Sequence, residues 1–333
     1  MHDIQLWGGP ECTVNRVGES FTDQFTLSGH EYRIDDLDRF ASLGIAALRY
    51  PLLWERVERL GWEWHDERMA RIAALGIDPI AGLIHHGSGP AHTALTDDDG
   101  FAEGLAAHAA EAARRYPHVR DWTPVNEPLT TARFSALYGL WFPHAKDEAA
   151  FYRALLNQID ATRLAMRAIR RINPAARLVQ TEDLGRTLAT PELARQARHD
   201  NVRRWLTWDL LSGLLRPGHR LYRRIAAHGL ASRLDAIAAD PCPPDIIGIN
   251  HYLTSDRFLD HRIDRYPGLP SDGNGKQRYV DVEAIRVLDP APAGLAGVLR
   301  EAWQRYRRPI AVTELHNGCT REEQMRWFAQ GWE

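Results

Sequence analysis

The chain has 333 residues, 44% of them hydrophobic and 26% charged, with a net charge of −3. That length suits a single α/β barrel, whose usual size is about 250 residues, and the apolar fraction is enough for a large core. No basic block stands out, so neither nucleic acid nor an anionic membrane is an expected partner, and no stretch reaches the ~20 apolar residues of a membrane span. Cys12, Cys242 and Cys319 show neither metal-ligand spacing nor an even-numbered disulfide framework. The opening Met1-His2-Asp3-Ile4 lacks a signal-peptide pattern, which makes a cytoplasmic location the expectation.

Apolar runs alternate with helical patterns along the whole chain, the signature of a parallel sheet of βα units. A short strand over 4–7 ends at Gly8-Gly9-Pro10. A helix over 34–43 stops at Gly44, and the strand over 45–50 follows. The next pair is a helix over 66–75 closed by Gly76 and a strand over 77–84 running into His85-His86-Gly87. Phe101, Leu105, Ala109, Ala112 and Tyr116 repeat at helical spacing before a strand over 119–125. A long helix over 147–172 leads to the strand at 177–182. A helical insertion over 191–239 precedes the strand at 245–250, and the polar, Pro- and Gly-containing segment 256–277 reads as one long loop. A helix over 291–307 delivers the strand at 309–314, and 322–332 is the last helical pattern. The expected fold is therefore a TIM (β/α)8 barrel, one domain over 1–333, with seven strands readable and the eighth missing from the C-terminal side.

Two of these strands end in a carboxylate. The stretch Asp121-Trp122-Thr123-Pro124-Val125-Asn126-Glu127-Pro128 stops at a proline, which cannot donate to a sheet ladder and disfavours helical backbone before it, so Glu127 is expected to be extended at a strand tip. Pro309-Ile310-Ala311-Val312-Thr313-Glu314 repeats the plan. In a barrel the C-terminal tips of the strands share one face, where active sites sit. That face would gather Glu11, Asn15 and Arg16, then Arg49 and Trp54, then His85 and His86. Asn126 and Glu127 follow, then Glu182 and Asp183, then Asn250, His251 and Tyr252, and last Glu314 and His316.

Polar, aromatic and carboxylate groups without a Gly-rich phosphate cradle suit a polyhydroxylated ligand. Retaining glycosidic cleavage needs an acid/base and a nucleophile about 5–5.5 Å apart. Glu127 is assigned the acid/base role, its pKa raised by apolar surroundings and the second carboxylate, and Glu314 the nucleophile, held ionised by Arg49 and Tyr252. Asn126 is placed on the sugar hydroxyl beside the anomeric carbon. Trp141 is the best ring for stacking on a sugar face, while most other tryptophans belong to the core. Arg16 and Asp183 read as members of an ion-pair network. Adjacent residues on a strand face opposite ways, so His85 and His86 make a poor metal pair, and neither metal nor cofactor is expected.

These residues resemble the family 1 glycoside hydrolases. Arg49-Tyr50-Pro51-Leu52-Leu53-Trp54-Glu55-Arg56-Val57 is similar to the family's Arg-Phe-Ser-Ile-Ser-Trp-Ser-Arg-Ile. His86 with Pro90 resembles its sugar-binding His-Trp-Asp-Leu-Pro, and Thr123-Pro124-Val125-Asn126-Glu127-Pro128 its Thr-Phe-Asn-Glu-Pro. Tyr138-Gly139 through Pro143 is similar to the segment that follows. Gly248-Ile249-Asn250-His251-Tyr252 resembles Gly-Ile-Asn-Tyr-Tyr, and the strand ending at Glu314 resembles Pro-Ile-Tyr-Ile-Thr-Glu.

The resemblance implies a β-glycosidase whose His86 binds the sugar; Glu11, Asn15, Trp54, Asn126, Trp141, Glu182, Asn250 and His316 are further sugar-contacting candidates from their places at or beside the strand tips. The chain departs from the family where a Gln would follow the first strand, since counting from Trp7 and Gly8 reaches Asn15. Leu315 and His316 also displace the Asn317-Gly318 pair after the nucleophile, and Glu182-Asp183 has no counterpart. The opening Trp7-Gly8-Gly9 with Glu11-Cys12-Thr13 and Asn15-Arg16-Val17 also looks like the front part of fusions to a deoxysugar-nucleotide (dTDP-4-dehydrorhamnose) reductase, which would make a fused or associated reductase a partner. The alternative function is a catalytically weak or inactive carbohydrate-binding or regulatory barrel tied to deoxysugar-nucleotide metabolism.

Overall fold

The structure, a computed structural model, describes residues 4–98, 100–287 and 292–333. It opens with β1 (Trp7–Gly8), the hairpin of β2 (Val14–Val17) and β3 (Ser20–Asp23), and the short helix α1 (Gln24–Ser28). There follow α2 (Asp36–Ser42), β4 (Ala47–Pro51), α3 (Trp54–Leu60), α4 (Glu63–Ala74) and β5 (Asp78–His85). Next come α5 (Gly100–Arg115), β6 (Asp121–Asn126), α6 (Pro128–Ala132), α7 (Glu148–Ile172) and β7 (Arg177–Asp183). The insertion carries β8 (Thr187–Ala189), α8 (Ala194–Arg203), α9 (Leu206–Leu211), α10 (Tyr222–Ile225) and α11 (Ala231–Ala239). β9 (Ile246–Asn250), β10 (Arg257–Asp260), β11 (Asp272–Gly273), β12 (Arg278–Glu283), α12 (Gly294–Tyr306), β13 (Ile310–Glu314) and α13 (Arg321–Trp332) complete the chain.

Seven parallel strands succeed one another in chain order, β1-β4-β5-β6-β7-β9-β13, with helices between them. This is the (β/α)-barrel class expected from the sequence. The chain divides into two compact units, Met1–Thr181 with Thr207–Ile246, and Glu182–Leu206 with Ile247–Glu333.

In the first unit all six residues of β6 are buried, as in a parallel strand covered on both faces. Its register sets His85 of β5 opposite Asn126, which places the two strand tips level. α7 begins at Asp147, whose side chain accepts from the Ala150 amide at 2.8 Å, and it buries Phe151, Leu155, Ile159 and Ile169 along one face. The positive φ of 74° at Gly44 and 70° at Gly76 supplies the left-handed turns into β4 and β5.

In the second unit β9 and β13 pair in parallel with a register shift between Val312 and Glu314. Segment 256–277, expected as one loop, instead carries β10 and β11, which join β12 and β8 in a four-stranded sheet. Phe258, Val280, Val282 and Ala284 bury that sheet's own small core. The strand signal at 257–260 is the short run Arg257-Phe258-Leu259-Asp260, too brief to stand out among the polar and Gly/Pro residues around it.

Candidate active site

In the first unit the tips of β4, β5 and β6 converge on Asn126. This residue is 1% exposed, and its Oδ1 accepts from Arg49 Nη2 and from Thr181 Oγ1, both at 2.8 Å. Two donors on the oxygen fix the amide's orientation and turn Nδ2 towards the imidazoles, 3.2 Å from His85 Nε2 and 3.3 Å from His86 Nε2.

Both rings therefore serve one amide, contrary to the expectation that neighbouring histidines face opposite ways. His85 is the last residue of β5, whereas His86 lies beyond it with φ 59°, and that left-handed step swings its ring to the same side. His86 Nδ1 is 3.0 Å from Thr131 Oγ1 on α6, and His85 Nδ1 is 3.2 Å from Cys12 Sγ.

Glu127 departs from expectation in the same way. It is left-handed, with φ 47° and ψ 62°, at the corner where β6 turns into α6 and Pro128 takes the first helical position. The proline removes the helical alternative, and the abrupt strand-to-helix reversal selects left-handed rather than extended backbone. Non-glycine residues in this region are strained, and such strain gathers at functional sites. The Glu127 side chain is 3% exposed, with Oε2 3.8 Å from His86 Nε2. Trp141 packs against His86 at 5.4 Å between ring centroids and against Phe134 at 4.7 Å.

Other first-unit candidates lie elsewhere. Trp54 is buried between Phe101 and His108, and a Cβ at Gly104 would meet its ring at 2.4 Å, so it fills the packing beneath the tips. Glu11 accepts from the Thr13 amide at 2.9 Å, and Asn15 sits in β2 opposite Thr22. Arg16 bonds Glu19, Gly18 O and Ala91 O, and covers the Phe142 ring at 3.8 Å. Asp183, in the second unit, accepts from Ser255 Oγ at 2.5 Å.

In the second unit Glu314 ends β13, and the Tyr252 hydroxyl donates to its Oε2. The Glu314 carbonyl accepts the His251 amide at 2.9 Å, so strand pairing extends past the tip of β9. Asn250 is fully buried and accepts from Thr313 Oγ1 at 2.6 Å, while His316 meets the Tyr252 ring edge-on at 5.5 Å. Glu182 is fully buried near the end of β7. In the first unit, Arg49 has a described bond to Asn126.

Sequence reasoning missed the three threonines at 131, 181 and 313 that orient His86, Asn126 and Asn250. A lone hydroxyl in a helix or strand carries no pattern, although the placement of Thr181 and Thr313 immediately before Glu182 and Glu314 was open to view. Among the described residues no group of three or more His, Cys, Asp or Glu is placed to hold a metal ion, and no helix is long and apolar enough to cross a membrane.

No protein-family model matches the chain. It is 23% identical over 327 residues to the 6-phospho-beta-glucosidase of Dickeya chrysanthemi, covering 91% of this chain and 69% of that protein. Identity to the phospho-cellobiase of Klebsiella oxytoca is also 23%, over 350 residues, covering 94% and 71%. Among solved structures, a beta-glucosidase from Thermotoga maritima in complex with methoxycarbonyl-substituted glucoimidazole superposes with a TM-score of 0.69 at 16% identity, covering 91% of this chain and 72% of that one.

Proposed function

We propose that the chain, which is similar to family 1 glycoside hydrolases, is a glycosidase acting on O-glycosyl compounds and that it cleaves β-glycosidic bonds with retention of configuration. Glu127 is the acid/base and Glu314 the nucleophile. The observation that carries this reading is that each glutamate ends a parallel strand with its own polar holder, Glu127 beside His86 and Glu314 under the Tyr252 hydroxyl.

In the first step a Glu314 carboxylate oxygen bonds to the anomeric carbon as the glycosidic C–O bond breaks, and Glu127 gives its proton to the departing oxygen. In the second, Glu127 takes a proton from water, the water oxygen bonds to the anomeric carbon, and the Glu314 ester bond breaks. Tyr252 holds Glu314 at the angle of attack and favours its charged form. The Asn126 amide, oriented by Arg49 and Thr181, takes the hydroxyl next to the anomeric carbon. His86, Trp141, Asn250, Glu182 and His316 are the further candidates for sugar contacts.

The named relatives are glycosidases, and nothing in them supports a fused reductase. Two of them act, by name, on phosphorylated sugars, so the substrate panel holds nitrophenyl β-glucoside, its 6-phosphate and other β-glycosides. Azide rescue assigns the roles: Glu127→Ala should yield the β-glycosyl azide and Glu314→Ala the α-azide. Unchanged turnover in either variant would overturn the assignment. Glucoimidazole binding without turnover of any glycoside would favour the carbohydrate-binding alternative.

A further inference from the structure

Glu55 stands one residue past Trp54 on α3, where the family motif quoted above has Ser. It is 7% exposed, and among the described residues neither carboxylate oxygen has a hydrogen-bond partner. Its Oε1 rests against the backbone of Gly87: a Cβ built on that glycine would lie 2.2 Å from Oε1 and 2.9 Å from Val14 O. Gly87 follows His86, whose left-handed backbone and ring position serve Asn126 and Glu127.

The charged groups around Glu55 are committed elsewhere. Arg56 pairs with Asp23 and with Glu31 and lies over the Phe25 and Trp64 rings. Arg59 pairs with Asp23, Glu58 with His92, and the His85 and His86 rings face Asn126. A buried carboxylate with no partner is costly, whereas a protonated carboxyl in the same place is tolerated.

We propose, resting on the glycosidase reading, that Glu55 is a positioning residue: its neutral carboxyl is a wedge against Gly87 that seats the His85–His86 corner, and loss of its proton unseats that corner from Asn126 and Glu127. Burial pushes the Glu55 carboxyl from the ordinary 4.5 up to about 8. Its own amide and Arg56 act the other way, and Asp23 acts with burial. The wedge is thus in its working form at neutral pH and lost in mild alkali.

The test compares wild type with Glu55→Gln, which keeps the shape and cannot ionise. Its first readout is melting temperature between pH 5 and 9. Neutral Glu55 favours the fold while the unfolded chain has already lost the proton, so the contribution of Glu55 to wild-type stability should be lost between pH about 4.5 and about 8, a loss that the Gln variant lacks. The lead of Glu55→Gln should therefore widen up to about pH 8 and then level.

The second readout is kcat/KM against pH on whichever glycoside is hydrolysed. Above the transition wild type should fall about tenfold per pH unit, the slope of one proton, and Glu55→Gln should remove that limb. A third comparison tests the contact itself. Gly87→Ala should raise KM and lower the melting temperature, and adding Glu55→Ala should recover part of both losses by clearing the 2.2 Å clash. A pH-independent melting difference, an unchanged alkaline limb, or strictly additive Gly87 and Glu55 effects would overturn the proposal. If wild type hydrolyses no glycoside, the glycosidase reading fails, and melting together with the His86 imidazole resonance across the same pH range still decides whether Glu55 seats the corner.

Discussion

His86 Nε2 stands 3.8 Å from Glu127 Oε2, and both residues hold left-handed backbone, with φ of 59° and 47°. Each ends its strand with a step that a β-carbon resists, at about 1–2 kcal/mol per residue. The two steps are what bring the imidazole and the carboxyl together, since a strand continued past His85 or Asn126 would alternate its side chains away from one another. Glycine carries no such penalty. Glu127→Gly should therefore melt higher than Glu127→Ala, by about 1 kcal/mol at equal loss of turnover. An Ala variant at least as stable as the Gly variant would show that the corner is unstrained.

The Tyr252 hydroxyl has one described acceptor, the carboxylate of Glu314. A hydrogen bond to a charged group contributes about 1.5–3 kcal/mol. Tyr252→Phe should lower kcat about 10- to 100-fold, with little change in melting temperature because the ring remains. Loss confined to KM would move Tyr252 from the nucleophile to sugar binding.

Asn126 depends on its holders. With Thr181→Val one of the two donors on Oδ1 disappears, and kcat/KM should fall about 5-fold, the worth of one neutral hydrogen bond. Asn126→Asp keeps the acceptors for Arg49 and Thr181 but loses the Nδ2 donor towards His85 and His86. Its larger deficit should appear on substrates bearing a hydroxyl beside the anomeric carbon and shrink on the 2-deoxy analogue.

The parallel strands were legible because each is a short apolar run bounded by a turn residue, and six of the seven fall within a few residues of their expected places. Only β1 is marginal, two residues at Trp7–Gly8 where 4–7 was expected. The tip glutamates were legible because a lone carboxylate after Val125-Asn126 or Val312-Thr313 has no place in a buried strand. What sequence did not disclose is backbone sign: nothing in the composition around His86 or Glu127 announces positive φ, because tertiary packing imposes it on residues that do not prefer it. β10 and β11 escaped because they are only four and two residues long and lie in a polar segment that also carries Pro267, Gly268 and Pro270. Trp54 was drawn to the site by the motif it sits in, while its indole fills the space over Gly89 and Gly104.

Acid should weaken the first unit through its interior histidines. His108 is 5% exposed, its Nε2 2.7 Å from Leu52 O, and burial brings it down to about 4; burial brings His65 down to about 3. The unfolded chain takes up these protons near 6.5 while the fold refuses them until much lower pH. Their contribution is thus complete above pH 6.5 and is lost as pH falls towards 4. The wild-type melting temperature should drop across that window, and His108→Gln, which keeps a donor for Leu52 O, should drop less. Parallel curves for the two proteins would assign acid loss to other groups.

The last helix poses a different problem. α13 is secured at its start by a capping box, Thr320 with Glu323, and on its inner side Trp327 stacks on His251 at 6.0 Å while Gly331 leaves room for Leu315. On another face Met325, Phe328 and Trp332, spaced three and four apart, are 59, 44 and 49% exposed. Three large apolar side chains in one stripe form a patch of the kind that soluble proteins cover, since each one buried gains about 1.5–3 kcal/mol. The 333-residue chain should therefore self-associate as its concentration rises, with sedimentation shifting to larger species in the micromolar range. Phe328→Glu, placed at the centre of the stripe and outside both glutamate corners, should keep it monomeric without altering the affinity for glucoimidazole. Unchanged sedimentation of wild type over that range would show that the stripe does not drive association.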